Sequence, residues 1–102
     1  MVIKEIIDDK IHYMDLLLLA DEQEDMIRRY LEKGIMYVLD DNGVKAECVV
    51  TDEGNRILEI KNIAVKPEYQ GCGYGKALID FLIRRYTGKY SVMQVGTGDS
   101  AL

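Results

Sequence analysis

The sequence is poor in the residues that build metal centres, disulfide frameworks and membrane spans. Among 102 residues there is one histidine, His12, and there are two cysteines, Cys48 and Cys72. Neither cysteine has a Cys or His neighbour at ligand spacing, which argues against a metal site and a disulfide scaffold and fits a reducing cytoplasm. No metal is expected. The longest unbroken apolar run, Leu16 to Ala20, falls far short of the ~20 residues a spanning helix needs. The start, Met1-Val2-Ile3-Lys4-Glu5, lacks the layout of a signal peptide. Positive charge is in deficit as well. Thirteen Lys and Arg face eighteen Asp and Glu, a net charge of −5 that repels a phosphate backbone and argues against nucleic acid as partner. No repeat, linker or low-complexity tract interrupts the chain. Its length and its 48% hydrophobic and 30% charged content describe one globular domain over residues 1–102.

Hydrophobic periodicity supplies the elements that are present. Residues 1–7 read as a strand. Residues 11–20 and 22–33 read as two helices, the second capped by Asp21 with Glu24 three residues on and stopped by Gly34. Residues 35–40 read as a strand, and Asp40-Asp41-Asn42-Gly43 as a hairpin turn, because Asn-Gly tolerates φ > 0 at both central positions. In the next strand Val44, Ala46, Cys48 and Val50 alternate with Lys45 and Glu47, which predicts a half-buried element. Residues 56–65 form a fourth strand, ended by Pro67. A helix over 76–87 carries Leu78, Phe81 and Leu82 on one face, extended by Ile79, Ile83 and Tyr86, and Gly88 stops it. Residues 90–95 form a fifth strand. Strand–helix–strand implies a parallel final pair. The fold class is α/β, a mixed sheet, antiparallel first and parallel at the end, flanked by helices.

The segment Gln70-Gly71-Cys72-Gly73-Tyr74-Gly75-Lys76 joins the fourth strand to its helix. Glycines free the backbone for φ > 0 and for close approach by a ligand. The first turn of the helix leaves its amides unpaired at the positive end of the dipole, a setting for phosphate. Two phosphate loops fail on spacing. Gly75-Lys76 is followed by Ala77, with no hydroxyl for Mg²⁺, so the Walker pattern is absent. Gly71 and Gly73 begin a dinucleotide fingerprint, but Gly75 comes one residue too early.

What remains is Gln-x-x-Gly-x-Gly over Gln70, Gly73 and Gly75, which resembles the acetyl-CoA loop of the GNAT superfamily of N-acetyltransferases. The lead-in Ile63-Ala64-Val65-Lys66-Pro67-Glu68-Tyr69 resembles the end of that family's fourth strand, and Gly96-Thr97-Gly98-Asp99-Ser100 the end of its fifth. The resemblance implies that amides of Gly71, Cys72, Gly73, Tyr74, Gly75 and Lys76, beside Gln70, hold the cofactor's pyrophosphate. It implies that backbone groups of Ile63 and Val65 hold the pantetheine arm and the acetyl carbonyl. Lys76 is either a cation near the phosphates or a solvated lysine. The expected acceptor is an amine on a small molecule or peptide. In the family the first helical region walls the acceptor site, and an acidic wall of Asp21, Glu22, Glu24 and Asp25 suits a cationic amine, although the same run also complements a helix dipole.

Acetyl transfer needs a held thioester, an amine relieved of its proton and a stabilised oxyanion. Glu59, eleven residues before Gln70, has the spacing of the base in some family members. By period two it shares a face with Ile57, Lys61, Ile63 and Val65, and apolar neighbours would raise its pKa. The competing reading is a strand glutamate paired with a lysine. Cys72 reads as a small loop residue and His12 as a surface or packing residue. The family usually continues past this point with a helix that carries a tyrosine general acid, then two more strands. The sequence stops at Leu102, so the resemblance implies a C-terminally truncated GNAT-like fold with an open sheet edge at the fifth strand, available for homo-oligomerisation. Two functions stay open: an acetyltransferase, or a catalytically inert CoA-binding or interaction module.

Overall fold

The computed structural model describes residues 1–96. Five strands form one sheet in chain order: β1 Val2–Ile6, β2 Ile35–Asp40, β3 Val44–Asp52, β4 Ile57–Val65 and β5 Val92–Val95. The first three junctions are antiparallel and β4–β5 is parallel, as the element order requires. Helix α1 (Met14–Leu17) and helix α2 (Glu24–Lys33) cover one face, and helix α3 (Tyr74–Tyr86) covers the other.

Helices on both faces explain why β3 is not half-buried. From Ala46 to Thr51 every side chain is buried. Ala46, Cys48 and Val50 pack with Leu78, Leu82 and Tyr86 of α3. Val49 packs with Leu17, Ile27 and Leu31 from the other side. Each large aliphatic chain so buried is worth ~1.5–3 kcal/mol. Glu47, which strand alternation assigned to solvent, is fully buried on the α1/α2 side between its register partners Val38 and Ala64. On α3 the buried stripe is Leu78, Leu82 and Tyr86, at successive turns, whereas Ile83 is exposed.

The expected helix over 11–20 shrinks to a 3-10 turn, Lys10–Tyr13, and the single turn of α1. After Leu18 the amides of Leu19 and Ala20 reach back three residues, to Leu16 and Leu17, and the Asp21 amide also ends on the Leu17 carbonyl. The side-chain amide of Asn62 on β4 also takes the Leu17 carbonyl at 3.0 Å. A tertiary bond thus caps the turn where local periodicity would have continued. Asp21 does not cap α2, which starts three residues later with Gln23 at the N-cap. Its Oδ1 accepts the Gln23 amide at 3.0 Å and its Oδ2 the Tyr30 hydroxyl at 3.2 Å. Gly34 does end α2, but at φ −86°. The glycine is demanded by packing: a Cβ there would lie 2.8 Å from Val49 Cγ1 and 2.9 Å from the Tyr30 carbonyl oxygen.

Strand β4 carries a bulge. Val49 pairs with Asn62 and Val50 with Ile60, which leaves Lys61 without a partner on β3. The extra residue reverses the phase of everything after it. Ile63 and Val65 lean onto the α3 cluster with Leu58 and Ile60. Glu59, paired with Thr51, lies on the opposite side with Asn62. The expectation that Glu59 shares a face with Ile63 and Val65 is therefore corrected, because strict period two does not survive a bulge.

Candidate functional site

The glycine loop has the backbone conformation its composition called for. Gly71 and Gly73 sit at φ +84° and +88°, the left-handed region that side chains resist. Gly73 is the N-cap of α3, and its carbonyl accepts the Ala77 amide at 3.0 Å. The helix therefore starts at Tyr74, two residues earlier than periodicity placed it. The amides of Tyr74, Gly75 and Lys76 fall in the first turn, which has no partners inside the helix. A Cβ placed on Gly71 or Gly73 would meet nothing within 4 Å, so the space beside both glycines is open. At Gly75 a Cβ would touch Val65 Cγ2 at an ordinary 3.7 Å. Left-handed glycines, free amides and a clear approach fit a phosphate-bearing ligand.

The side chains around the loop are occupied in its support. Gln70 Nε2 donates to the Val65 carbonyl at 3.3 Å. Lys76 Nζ lies 2.8 Å from Asp80 Oδ2, one turn along α3. The Tyr74 hydroxyl donates to Asp41 Oδ2 at 2.7 Å, which ties the loop to the β2–β3 turn. That bond keeps the proton on Tyr74, whose pKa is pushed up to about 12. At the turn itself Asn42 and Gly43 take φ +57° and +107°. Cys72 is an exposed free thiol, and exposed His12 lies edge-on to the Tyr13 ring, 5.0 Å between centroids.

A cleft of about 760 Å³ opens on the α1/α2 side, where β4 meets β5. The parallel ladder ends at Ile60 and Val95, with the Gly96 amide donating to Ile60 O at 2.8 Å. Beyond that pair, residues 61–65 have no β5 neighbour among the described residues, so Ile63 and Val65 lie along an open strand margin leading to the loop. Residues 97–100 of the expected fifth-strand ending lie outside the described residues.

Glu59 stands in this cleft, held on two sides. Its Oε2 is 2.6 Å from Lys61 Nζ and its Oε1 accepts Gln94 Nε2 at 2.6 Å. A Cβ on Gly96 would come within 2.5 Å of the same Oε2. Burial pushes the Glu59 pKa up, but the hydrogen bonds from Lys61 and Gln94 and the Lys61 charge outweigh it and leave the carboxyl below its ordinary value. The expected raised pKa is corrected: its neighbours are a lysine and an amide, not the apolar chains of Ile63 and Val65.

Asp21 and Glu22, two members of the acidic run, line the same cleft. Behind them runs a chain of hydrogen bonds that the sequence did not reveal. Asn62 Nδ2 donates to the Tyr30 hydroxyl at 2.9 Å, and that hydroxyl donates to Asp21 Oδ2. Burial, above all, pushes the Tyr30 pKa up to about 12. The signal available in the sequence was Asn62, a lone amide in the run 57–65. Among the described residues, no cluster of His, Cys, Asp and Glu is placed to hold a metal, and no helix is long and apolar enough to cross a membrane.

Comparison with known proteins gives this geometry a family. Residues 32–101 match the family model described as an acetyltransferase (GNAT) domain. An uncharacterized N-acetyltransferase, YvbK, of Bacillus subtilis is 34% identical over 90 residues, 86% of this chain and 58% of that protein. An IAA acetyltransferase from Bacillus cereus superposes with a TM-score of 0.87 at 37% identity. A GNAT family acetyltransferase from Elizabethkingia anophelis, solved with acetyl-CoA bound, gives 0.87 at 32%. Both superpositions cover 98% of this chain and 67% of the other. The chain thus spans little more than half the length of the curated relative and about two thirds of these structures. With the loop, the mixed sheet and the family match in agreement, the chain belongs to the GNAT acetyltransferase family.

Proposed function

We propose that this chain binds acetyl-CoA at residues 70–76 and presents the acetyl group to an amine in the β4–β5 cleft. The observation that carries the reading is the pair of left-handed glycines, Gly71 and Gly73, at the N-terminus of α3 with open space before them. The amides of residues 71–76 hold the pyrophosphate, and the backbone of Ile63 and Val65 along the margin of β4 holds the pantetheine arm. Acetyl-CoA supplies the activated thioester. The acceptor is a small molecule or peptide carrying an ammonium group, drawn by Asp21 and Glu22. A cytoplasmic location is part of the same reading, because acetyl-CoA is the donor it names. Calorimetric titration with acetyl-CoA, then thiol-release assays over a panel of amines, tests both halves. Absence of binding would overturn the reading.

One observation favours the second reading, an inert CoA-binding module: the Lys61 and Gln94 bonds already occupy both oxygens of Glu59. Binding without thiol release on any amine is its signature. If turnover occurs, Glu59→Gln is expected to lower the rate at neutral pH by about 100-fold, the lower end for loss of a general base. The loss should recover in part at high pH, where free amine is present without help. A pH–rate profile identical to wild type would remove Glu59 from the mechanism.

We further propose that two copies associate through β5, one of the two edge strands among the described residues. Val92 and Val95 are exposed there, and a strand edge offers unpaired backbone groups to another chain. Light scattering at micromolar concentration should give twice the single-chain mass of 11.6 kDa. A single-chain mass with a cooperative melt would refute the association.

A further inference from the structure

We propose that Lys61 is the positioning residue of the cleft: its ammonium fixes the Glu59 carboxylate, ionised and in one orientation, where the acceptor amine meets it. This rests on reading the cleft as the acceptor site. Strand alternation puts Lys61 on the side of Glu59, and the bulge keeps Asn62 there as well. Because Lys61 has no partner on β3, two consecutive residues, Lys61 and Asn62, serve the side of the sheet that carries Glu59. Asn62 reaches inward to Leu17 and Tyr30, and Lys61 reaches along the strand to Glu59. A regular β4 would send Asn62 to the α3 side and separate the two tasks.

Three neighbours surround the Glu59 carboxylate. Lys61 holds Oε2 and Gln94 of β5 holds Oε1, while Gly96 packs against Oε2, where a Cβ would come within 2.5 Å. Lys61 is itself steadied from the β3–β4 turn, where Glu53 Oε2 lies 3.8 Å from Nζ and accepts the Thr51 hydroxyl. Across the cleft stand Asp21 and Glu22, and from α2 the Tyr30 hydroxyl, already committed to Asp21. Lys61 is the only cation among the groups facing Glu59 within the described residues, and their side chains are only 28% and 13% exposed. A pair so shielded is screened less than a surface pair. An ammonium entering the cleft meets Glu59 as an anion, and Lys61 has Glu53 as a second anchor when Glu59 turns to the amine.

The test follows the Glu59 side-chain carboxyl by ¹³C NMR titration in the 102-residue chain, with Glu59→Gln used to assign the resonance. In Lys61→Gln the Glu59 midpoint is expected to move upward, and in Lys61→Arg to return towards wild type. Lys61→Met, which retains the packing of the stem, replaces Lys61→Gln if that variant fails to fold. A Glu59 midpoint unchanged on loss of the lysine, or an arginine that fails to restore it, overturns the proposal. The titration reads without turnover, so an amine panel that yields no product would defeat the acceptor reading while leaving this measurement intact. Where turnover is measured, the acid limb of the pH–rate profile must move with the NMR midpoint. A limb that stays fixed while the midpoint moves also overturns the proposal.

Discussion

Gly73→Trp is expected to abolish acetyl-CoA binding, with a loss on the order of 1000-fold or about 4 kcal/mol, while the sheet stays folded. Gly73 holds φ +88° at the N-cap of α3, and a side chain there projects into the space before the free amides. A left-handed tryptophan costs ~1–2 kcal/mol, which a domain of typical stability, roughly 5–15 kcal/mol, survives. The indole then fills the region a pyrophosphate needs for close approach. Gly73→Ala carries the same backbone strain with little bulk, so its smaller loss separates conformation from obstruction. Calorimetry showing equal affinity for wild type and Gly73→Trp, with unchanged circular dichroism, would place the phosphates elsewhere.

The other large effect is on stability. Glu47→Met should stabilise the domain near pH 8 and remove a pH dependence. Glu47 is fully buried, and neither carboxylate oxygen has a partner among the described residues. Burial pushes its pKa from 4.5 up to about 8. Between those values the folded chain holds a proton that the unfolded chain has released. The folded state therefore loses stability as pH rises through this window, by a total on the order of 5 kcal/mol. Below pH 4.5 the neutral acid costs only its unmet hydrogen bonds. Glu59, with its pKa lowered, acts in the opposite sense and loses stability as pH falls, so the variant must be compared with wild type at each pH. Methionine has similar length and no charge to desolvate, and replacing buried ionic groups by apolar ones of like volume is often stabilising. Urea midpoints at pH 5 and pH 8 provide the measurement. The gap between variant and wild type should widen towards pH 8. Parallel midpoints across the range would mean that Glu47 finds a partner in solution.

A buried strand glutamate shows where sequence reading stops. The pattern Val44, Ala46, Cys48, Val50 against Lys45 and Glu47 correctly gave a strand with period two. It could not say that α1 and α2 would cover the second face, because nothing within nine residues records what packs on them. The helix over 11–20 failed for a similar reason: its end is set by Asn62, 45 residues from Leu17 along the chain.

The sequence by itself determined the features whose physics is local. Only glycine rests easily at φ +84° and +88°, so the loop before α3 was legible as a tight turn into a helix N-terminus. Asn42-Gly43 set the β2–β3 hairpin through the same backbone freedom. The order of strands and helices followed from hydrophobic period, and the parallel last pair from the helix between β4 and β5. The tertiary structure alone decided which way Glu59 faces and in what state it waits. Register is a property of two strands, and one unpaired residue, Lys61, moves Asn62 to the side of Glu59 and sends Ile63 and Val65 to the other. A carboxylate's pKa depends on the groups beside it in space: Lys61 is two residues along the same strand, but Gln94 reaches Glu59 only through the pairing of β4 with β5.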